Sequence, residues 1–319
     1  MIKKIVTIIV LIFNTLCIYA SNPRVVGYIM DDNKFDQKFS DLRWDYLTHL
    51  NVAFMLIGPN GELKDDGIKQ RLPEITETAH QNNVKVLISL QSDGDGFYKA
   101  VKNPLVRKKL AQNIIDYVKA NNLDGFDLDY ELYDHICPEL VLFAKEIHKV
   151  KSRKMLQTCA VPCFNPTKEG GYTDKWHKYF DFINMMAYDA TGPWAQEGPH
   201  APFQQMVDGV KTWTKTLKVP HKKLVIGLPF YGWSWDKENV MSFTYEQILS
   251  DHAGKITLND DIIGRTYFNG ETTIRKKCRY VIDEKLGGVM IWQLFYDAEN
   301  GNKKLLKAIN EELSLKNHQ

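Results

Sequence analysis

Eight short runs of β-branched and apolar residues recur along the chain, and that recurrence constrains the fold more than any other feature. They are RVVGYIM (24–30), HLNVAFMLI (49–57), VKVLISL (84–90), DGFDLDYE (124–131), MLQTCAVPC (155–163), FDFINMMAYD (180–189), KLVIGLPFYG (223–232) and GGVMIWQLFYD (287–297). Short runs of this kind, bounded by Gly, Pro, Asn or Asp, read as strands. Helical patterns lie between them. Asn103-Pro104 reads as an N-cap followed by proline at the first helical position. Leu110, Ile114, Tyr117 and Val118 follow at helix spacing, as do Leu140, Phe143, Ile147 and Val150, and near the end Leu305, Ile309 and Leu313. Strands alternating with helices through nearly the whole chain predict an α/β fold, a single-domain (β/α)8 TIM barrel. A doubly wound open sheet is the rival; it usually needs fewer strands, and no glycine-rich phosphate turn follows the first one.

The fourth run places Asp124, Asp127, Asp129 and Glu131 within eight positions. On a barrel strand, alternate residues point inward. Phe126, Leu128 and Tyr130 would then face the helices, while Asp127, Asp129 and Glu131 line the inner side about 6.6 Å apart. Glu131 ends the run, at the mouth where barrel enzymes keep their chemistry. Like charges in a partly desolvated site cannot all ionise cheaply, so at least one proton is held or shared. General-acid catalysis needs a carboxyl kept protonated in this way. The same cluster also suits a divalent cation, and a structural or solvated role is the plainest alternative.

With those residues in view, DGFDLDYE resembles the D-G-x-D-x-D-x-E signature of glycoside hydrolase family 18, the chitinase family. NMMAYD (184–189) resembles the family's M-x-Y-D strand, GLPFYG (227–232) its seventh strand and GGVMIWQLFYD its eighth. Val26-Gly27-Tyr28 and Asn51 to Phe54 are similar to its first two. The resemblance implies a substrate-assisted mechanism. Glu131 would be the acid/base, Asp129 would orient the substrate's acetamido N–H, Asp127 would share a proton with Asp129, and Tyr188 would hydrogen-bond the acetamido group. It also implies that Trp292 stacks beneath the sugar, that Asp189 contacts it and that Met186 packs beside it. Tyr28, Phe54 and Tyr231 are divided between pocket lining and core, and Trp194 would extend the groove. Trp44 and Trp213 read as packing residues, and Asp124 as structural support. The histidines show no metal or triad spacing, and no cofactor is called for.

The sequence departs from the family pattern at three places. Ser89-Leu90-Gln91-Ser92 replaces S-x-G-G, Trp233 stands where many members carry arginine, and Gln293 replaces the glutamate that often follows the last tryptophan. Only residues 233–286 separate the seventh and eighth runs, too few for the full α+β insertion of deep-cleft members, so a shallower, open groove is expected. The expected partner is chitin or another GlcNAc-containing oligosaccharide. An endo-β-N-acetylglucosaminidase acting on N-glycans would use the same residues, and a non-catalytic lectin is a third reading, disfavoured by the presence of Glu131.

The N-terminus frames this domain. Residues 1–20 carry Lys3 and Lys4, an apolar run from Ile5 to Phe13 and a stretch ending in Ala20, the layout of a secretory signal peptide. The run is too short for a stable membrane span. Cys17 raises lipoprotein anchoring, which Leu16 fits poorly. Residues 21–319 would form the barrel, secreted or periplasmic. Losing two lysines from 41 Lys+Arg leaves 39 against 39 Asp+Glu, so the mature domain lacks the basic excess of a nucleic-acid binder. The Lys/Arg clusters at 107–109 and 275–277 read as solvated helix faces. Cys137, Cys159, Cys163 and Cys278 allow one disulfide or buried thiols. Intact mass of the exported protein should match a chain beginning at Ser21; a chain beginning at a lipid-modified Cys17 would contradict the leader reading.

Overall fold

The computed structural model describes residues 23–32, 34–65, 67–129, 138–163, 172, 176–236, 238–298 and 304–314. The eight expected runs form eight parallel strands. They are β1 Arg24–Met30, β2 His49–Ile57, β3 Lys85–Ser92, β4 Gly125–Asp129, β5 Leu156–Pro162, β6 Phe182–Met186, β7 Leu224–Pro229 and β8 Gly288–Trp292. Neighbours in space follow chain order, and β1 pairs with both β2 and β8, which closes the sheet into a (β/α)8 barrel.

Two apolar layers result from the alternation of each strand. Phe126 and Leu128 of β4 point outward into a core with Leu110 and Ile114 of helix Pro104–Ala120 and with Leu140, Phe143 and Ile147 of helix Glu139–Val150. Inside the barrel lies a second cluster including Val26, Tyr28, Ala53, Ala160, Phe182, Val225 and Met290. The helix at 104 starts where its cap predicts, with Asn103 Oδ1 accepting from Leu105 N at 3.0 Å and Val106 N at 3.4 Å. Such a cap contributes about 1 kcal/mol.

Two local irregularities prepare the mouth. The pairing of β2 with β3 shifts register between Val52 and Met55, a bulge of the kind that re-aims a side chain, and Phe54 sits within it. After β7, the chain builds a four-stranded antiparallel sheet from Tyr231–Ser234, Met241–Thr244, Ile262–Ile263 and Thr266–Tyr267, with helix Tyr245–Asp251 beside it. Sequence periodicity does not reveal these strands, because runs of two to four residues are too short to show alternation. The insertion is therefore a reduced α+β module.

One surface expectation is corrected. Arg107 is buried against Glu146, with Nε 2.9 Å from Oε2, and Lys277 is fully buried. The Lys277 amine donates to Ala201 O at 2.8 Å and Asn269 Oδ1 at 2.7 Å, and burial pushes its pKa down to about 8. These two cations serve packing. Cys159, Cys163 and Cys278 are buried free thiols, while Cys137 and residues 1–20 lie outside the described residues. Among the described residues, no helix is long and apolar enough to cross a membrane. Trp44 and Trp213 are both buried in the outer core.

Gly125 shows how tightly β4 is seated. A Cβ there would fall 2.2 Å from Leu156 O on β5, and backbone cannot yield as a flexible side chain does. Gly125→Ala should cost about 1–3 kcal/mol by overpacking, read as a lower thermal midpoint; an unchanged midpoint would contradict this packing.

Candidate active site

Asp127 and Asp129 are successive inward positions of β4. The parallel register sets Ser89 of β3 and Thr158 of β5 level with Asp127. Both hydroxyls turn to it, Thr158 Oγ1 donating to Oδ1 at 2.6 Å and Ser89 Oγ to Oδ2 at 3.1 Å. Tyr28 OH donates to Oδ2 at 2.5 Å and Asn184 Nδ2 to Oδ1 at 3.3 Å. All four donors are neutral. Asp127 is completely buried, and burial raises its pKa while these hydrogen bonds pull it down; burial wins, so the carboxyl holds its proton to a higher pH than an ordinary aspartate. The Tyr28 phenol is pushed well above its usual range, by burial first and then by Asp127, and stays a donor.

Asp129 stands one pleat nearer the mouth, partly exposed, on the wall of a cavity of about 640 Å³. Gln91 Nε2 of β3 donates to its Oδ2 at 3.0 Å. Tyr28, Phe54, Met186, Tyr188, Asp189 and Trp292 share that wall with Asp129, as does Trp194, which is 61% exposed. Trp292 stacks on Phe54 with ring centroids 5.6 Å apart at 26°, and Tyr28 tilts against it at 5.5 Å. The peptide bonds Ala53–Phe54 and Trp292–Gln293 beside this pair are cis. The result is a broad apolar floor beside a carboxylate, the pairing of surfaces that a sugar ring requires.

On the far side, Asp189 has φ +61°, a left-handed conformation that aspartate tolerates better than most residues. Tyr231 OH donates to its Oδ1 at 2.6 Å and Trp233 Nε1 at 2.9 Å. The buried His200 has Nδ1 3.5 Å from the same oxygen, an electrostatic contact rather than a well-formed hydrogen bond. Burial would raise the Asp189 pKa, yet these neighbours together hold it below the ordinary range. Burial also lowers the pKa of His200, against the pull of Asp189, favouring the neutral ring. Tyr231 thus reaches the site through Asp189 instead of lining the cavity. Tyr188 packs edge-on to Tyr231 at 6.0 Å, and a Cβ on Gly227 would come within 2.9 Å of the Tyr188 ring. Glu131 lies outside the described residues. Asp124, at the opposite end of β4, accepts from Val86 N at 2.8 Å and meets His80 Nε2 at 2.8 Å, tying the strand to its neighbours.

A family model for glycosyl hydrolases family 18 matches residues 24–297. The chain belongs to this family of glycoside hydrolases. A chitinase from Bacteroides thetaiotaomicron, known from its crystal structure, is 37% identical with a TM-score of 0.88, the match covering 94% of this chain and 99% of that one. The GH18 chitinase ChiB from the chitin utilization locus of Flavobacterium johnsoniae is 33% identical, with a TM-score of 0.82 and coverage of 92% and 94%. Among curated relatives, a chitinase-like effector of Moniliophthora roreri is 28% identical over 62% of this chain and 55% of its own length. The chain thus spans about half of that relative.

For this family 18 hydrolase, the strand motifs led to the residues that share the cavity wall. They did not lead to every partner of the acids, Gln91 on the cavity wall among them. Gln91 and Trp233 stood out in the sequence only as departures from a pattern. Asn184 was visible inside NMMAYD but without a role, and His200 lies in GPHAPF, where no periodicity singles it out.

The raised pKa of Asp127 sets a sign for stability. Below the ordinary aspartate range the carboxyl is protonated whether the chain is folded or not, so it carries no penalty. As pH rises through the raised folded value, the fold must bury a charge and loses stability. Wild type should therefore lose stability relative to Asp127→Asn as pH rises from about 4 towards neutrality. Thermal midpoints measured across that range check it; a constant gap would contradict it.

Proposed function

We propose that the protein is an exported, retaining glycosidase that cleaves β-1,4 bonds next to N-acetylglucosamine with the substrate's own acetamido group as nucleophile. One observation carries the reading: Asp127 and Asp129 rise in step on β4, the first enclosed by donors and the second facing a cavity floored by Trp292. The names of the 37% and 33% identical structures, both chitinases, support the substrate class.

Glu131, two residues beyond Asp129 in sequence, gives its proton to the glycosidic oxygen as the C1–O bond breaks. The acetamido oxygen forms a new bond to C1 from the opposite face, giving an oxazolinium. Asp129 accepts from the acetamido N–H and offsets the positive charge with its own. Tyr188 and Asp189, across the cavity, hold the acetamido group and the sugar in the attack geometry. Glu131, now ionised, takes a proton from water; the oxygen of that water attacks C1, the acetamide is restored, and configuration is retained overall. Residues 1–20 are read as the leader that exports this domain. The reduced insertion supports an open groove and internal cuts.

Product masses after incubation with chitohexaose and with a high-mannose N-glycopeptide test the substrate. Dimers and trimers from chitohexaose are expected. Cleavage of the glycopeptide alone, leaving one GlcNAc on the peptide, would replace this reading with an endo-β-N-acetylglucosaminidase, and binding of either glycan without cleavage would replace it with a lectin. Glu131→Gln should lower kcat at least about a hundredfold while sugar binding persists. A thiazoline analogue of the oxazolinium should inhibit competitively; no inhibition would remove the acetamido group as nucleophile.

A further inference from the structure

The two inward acids of β4 are each met by a side chain from the same neighbouring strand. Ser89 donates to Asp127 and, two residues on, Gln91 donates to Asp129 Oδ2 at 3.0 Å. Register explains the ladder, since Ser89 pairs with Asp127 and Leu90 with Leu128. Gln91 occupies the first of two positions where the family pattern has glycine. Glycine offers no side-chain donor, so in this chain Asp129 gains a hydrogen bond that the S-x-G-G pattern cannot supply.

We infer that Gln91 is a positioning residue that holds Asp129 as an oriented carboxylate facing the cavity, and so restricts its turning toward Asp127. This rests on the substrate-assisted reading. A carboxamide N–H is a neutral donor, and a hydrogen bond to the ionised form favours it over the protonated form. Among the described residues, groups near Asp129 include Asp127 on its own strand, Tyr28 from β1, and Tyr188 and Asp189 on the same cavity wall. On β5 its register partner is Ala160, which brings no polar side chain. Among the described residues of this wall there is no cation beside Asp129. Gln91 is the neutral donor that the adjoining strand brings to Asp129. A carboxylate fixed in this way is ready for the acetamido N–H without first having to rotate.

Gln91→Met keeps the length of the side chain and removes the donor; Gln91→Glu replaces it with a like charge. Two readouts separate this inference from the function beneath it. The first is a carbon-13 titration of the Asp129 carboxyl, which needs no turnover. It should move up by about one pH unit in Gln91→Met, the size of one hydrogen bond to a charged group, and further in Gln91→Glu. The second is steady-state kinetics on chitohexaose, where kcat should fall about tenfold in Gln91→Met with KM changed less than threefold. The acidic limb of the kcat profile should rise with the carboxyl titration. An Asp129 titration unmoved in both variants would overturn the role of Gln91, whatever the activity. Shifted titrations in the variants, together with a wild-type protein that cleaves no GlcNAc glycan, would keep the Gln91 contact and overturn the proposed reaction instead.

Discussion

A carboxyl group enclosed at the centre of a parallel barrel must be surrounded by donors, since an unpaired polar group there costs several kcal/mol. Asp127 is that group, and much of the mouth is arranged around it. Ser89, Thr158, Tyr28 and Asn184 come from four other strands, so each strand must keep its register for the four hydrogen bonds to coexist. A shift of one residue in β3 or β5 would turn Ser89 or Thr158 outward and remove one of the four donors. The same register that satisfies Asp127 carries Asp129, Gln91 and Ala160 to the next level, where the cavity begins. Fold and site therefore share one constraint.

The second organising element is aromatic. Trp292 closes β8 and meets Phe54 from the bulged β2 and Tyr28 from β1, three strands that adjoin at the barrel's seam. Tyr28 belongs to both systems, its ring against Trp292 and its hydroxyl on Asp127. On the opposite wall, Asp189 is fixed by Tyr231 and Trp233, both from the insertion strand Tyr231–Ser234, so the reduced α+β module contributes directly to the site.

The barrel and the acid strand were legible in the sequence for a physical reason: strand alternation and helix spacing are local, and eight repetitions leave little freedom. Phe126 and Leu128 facing outward with Asp127 and Asp129 facing inward follow from the pleat alone. Partners that approach through space left no such trace. Trp233 donating to Asp189 depends on the path of an insertion whose strands are too short to show a period. His200 is brought against Asp189 by a loop, and Lys277 is buried although Arg275 and Lys276 precede it in the chain. Gln91 was visible as a departure, but its meaning depends on which strand lies beside β4, and that is a fact of topology.

The account depends on a division between the two acids: Asp127, by its burial, holds its proton to a higher pH than an ordinary aspartate, while Asp129 serves the cavity as a carboxylate. Neutron diffraction from deuterated crystals at about pH 5, above the ordinary aspartate range, locates that proton directly. Nuclear density for a deuteron on Asp127, with none on Asp129, is the result the account predicts. A bare Asp127 carboxylate beside a protonated Asp129 would contradict it.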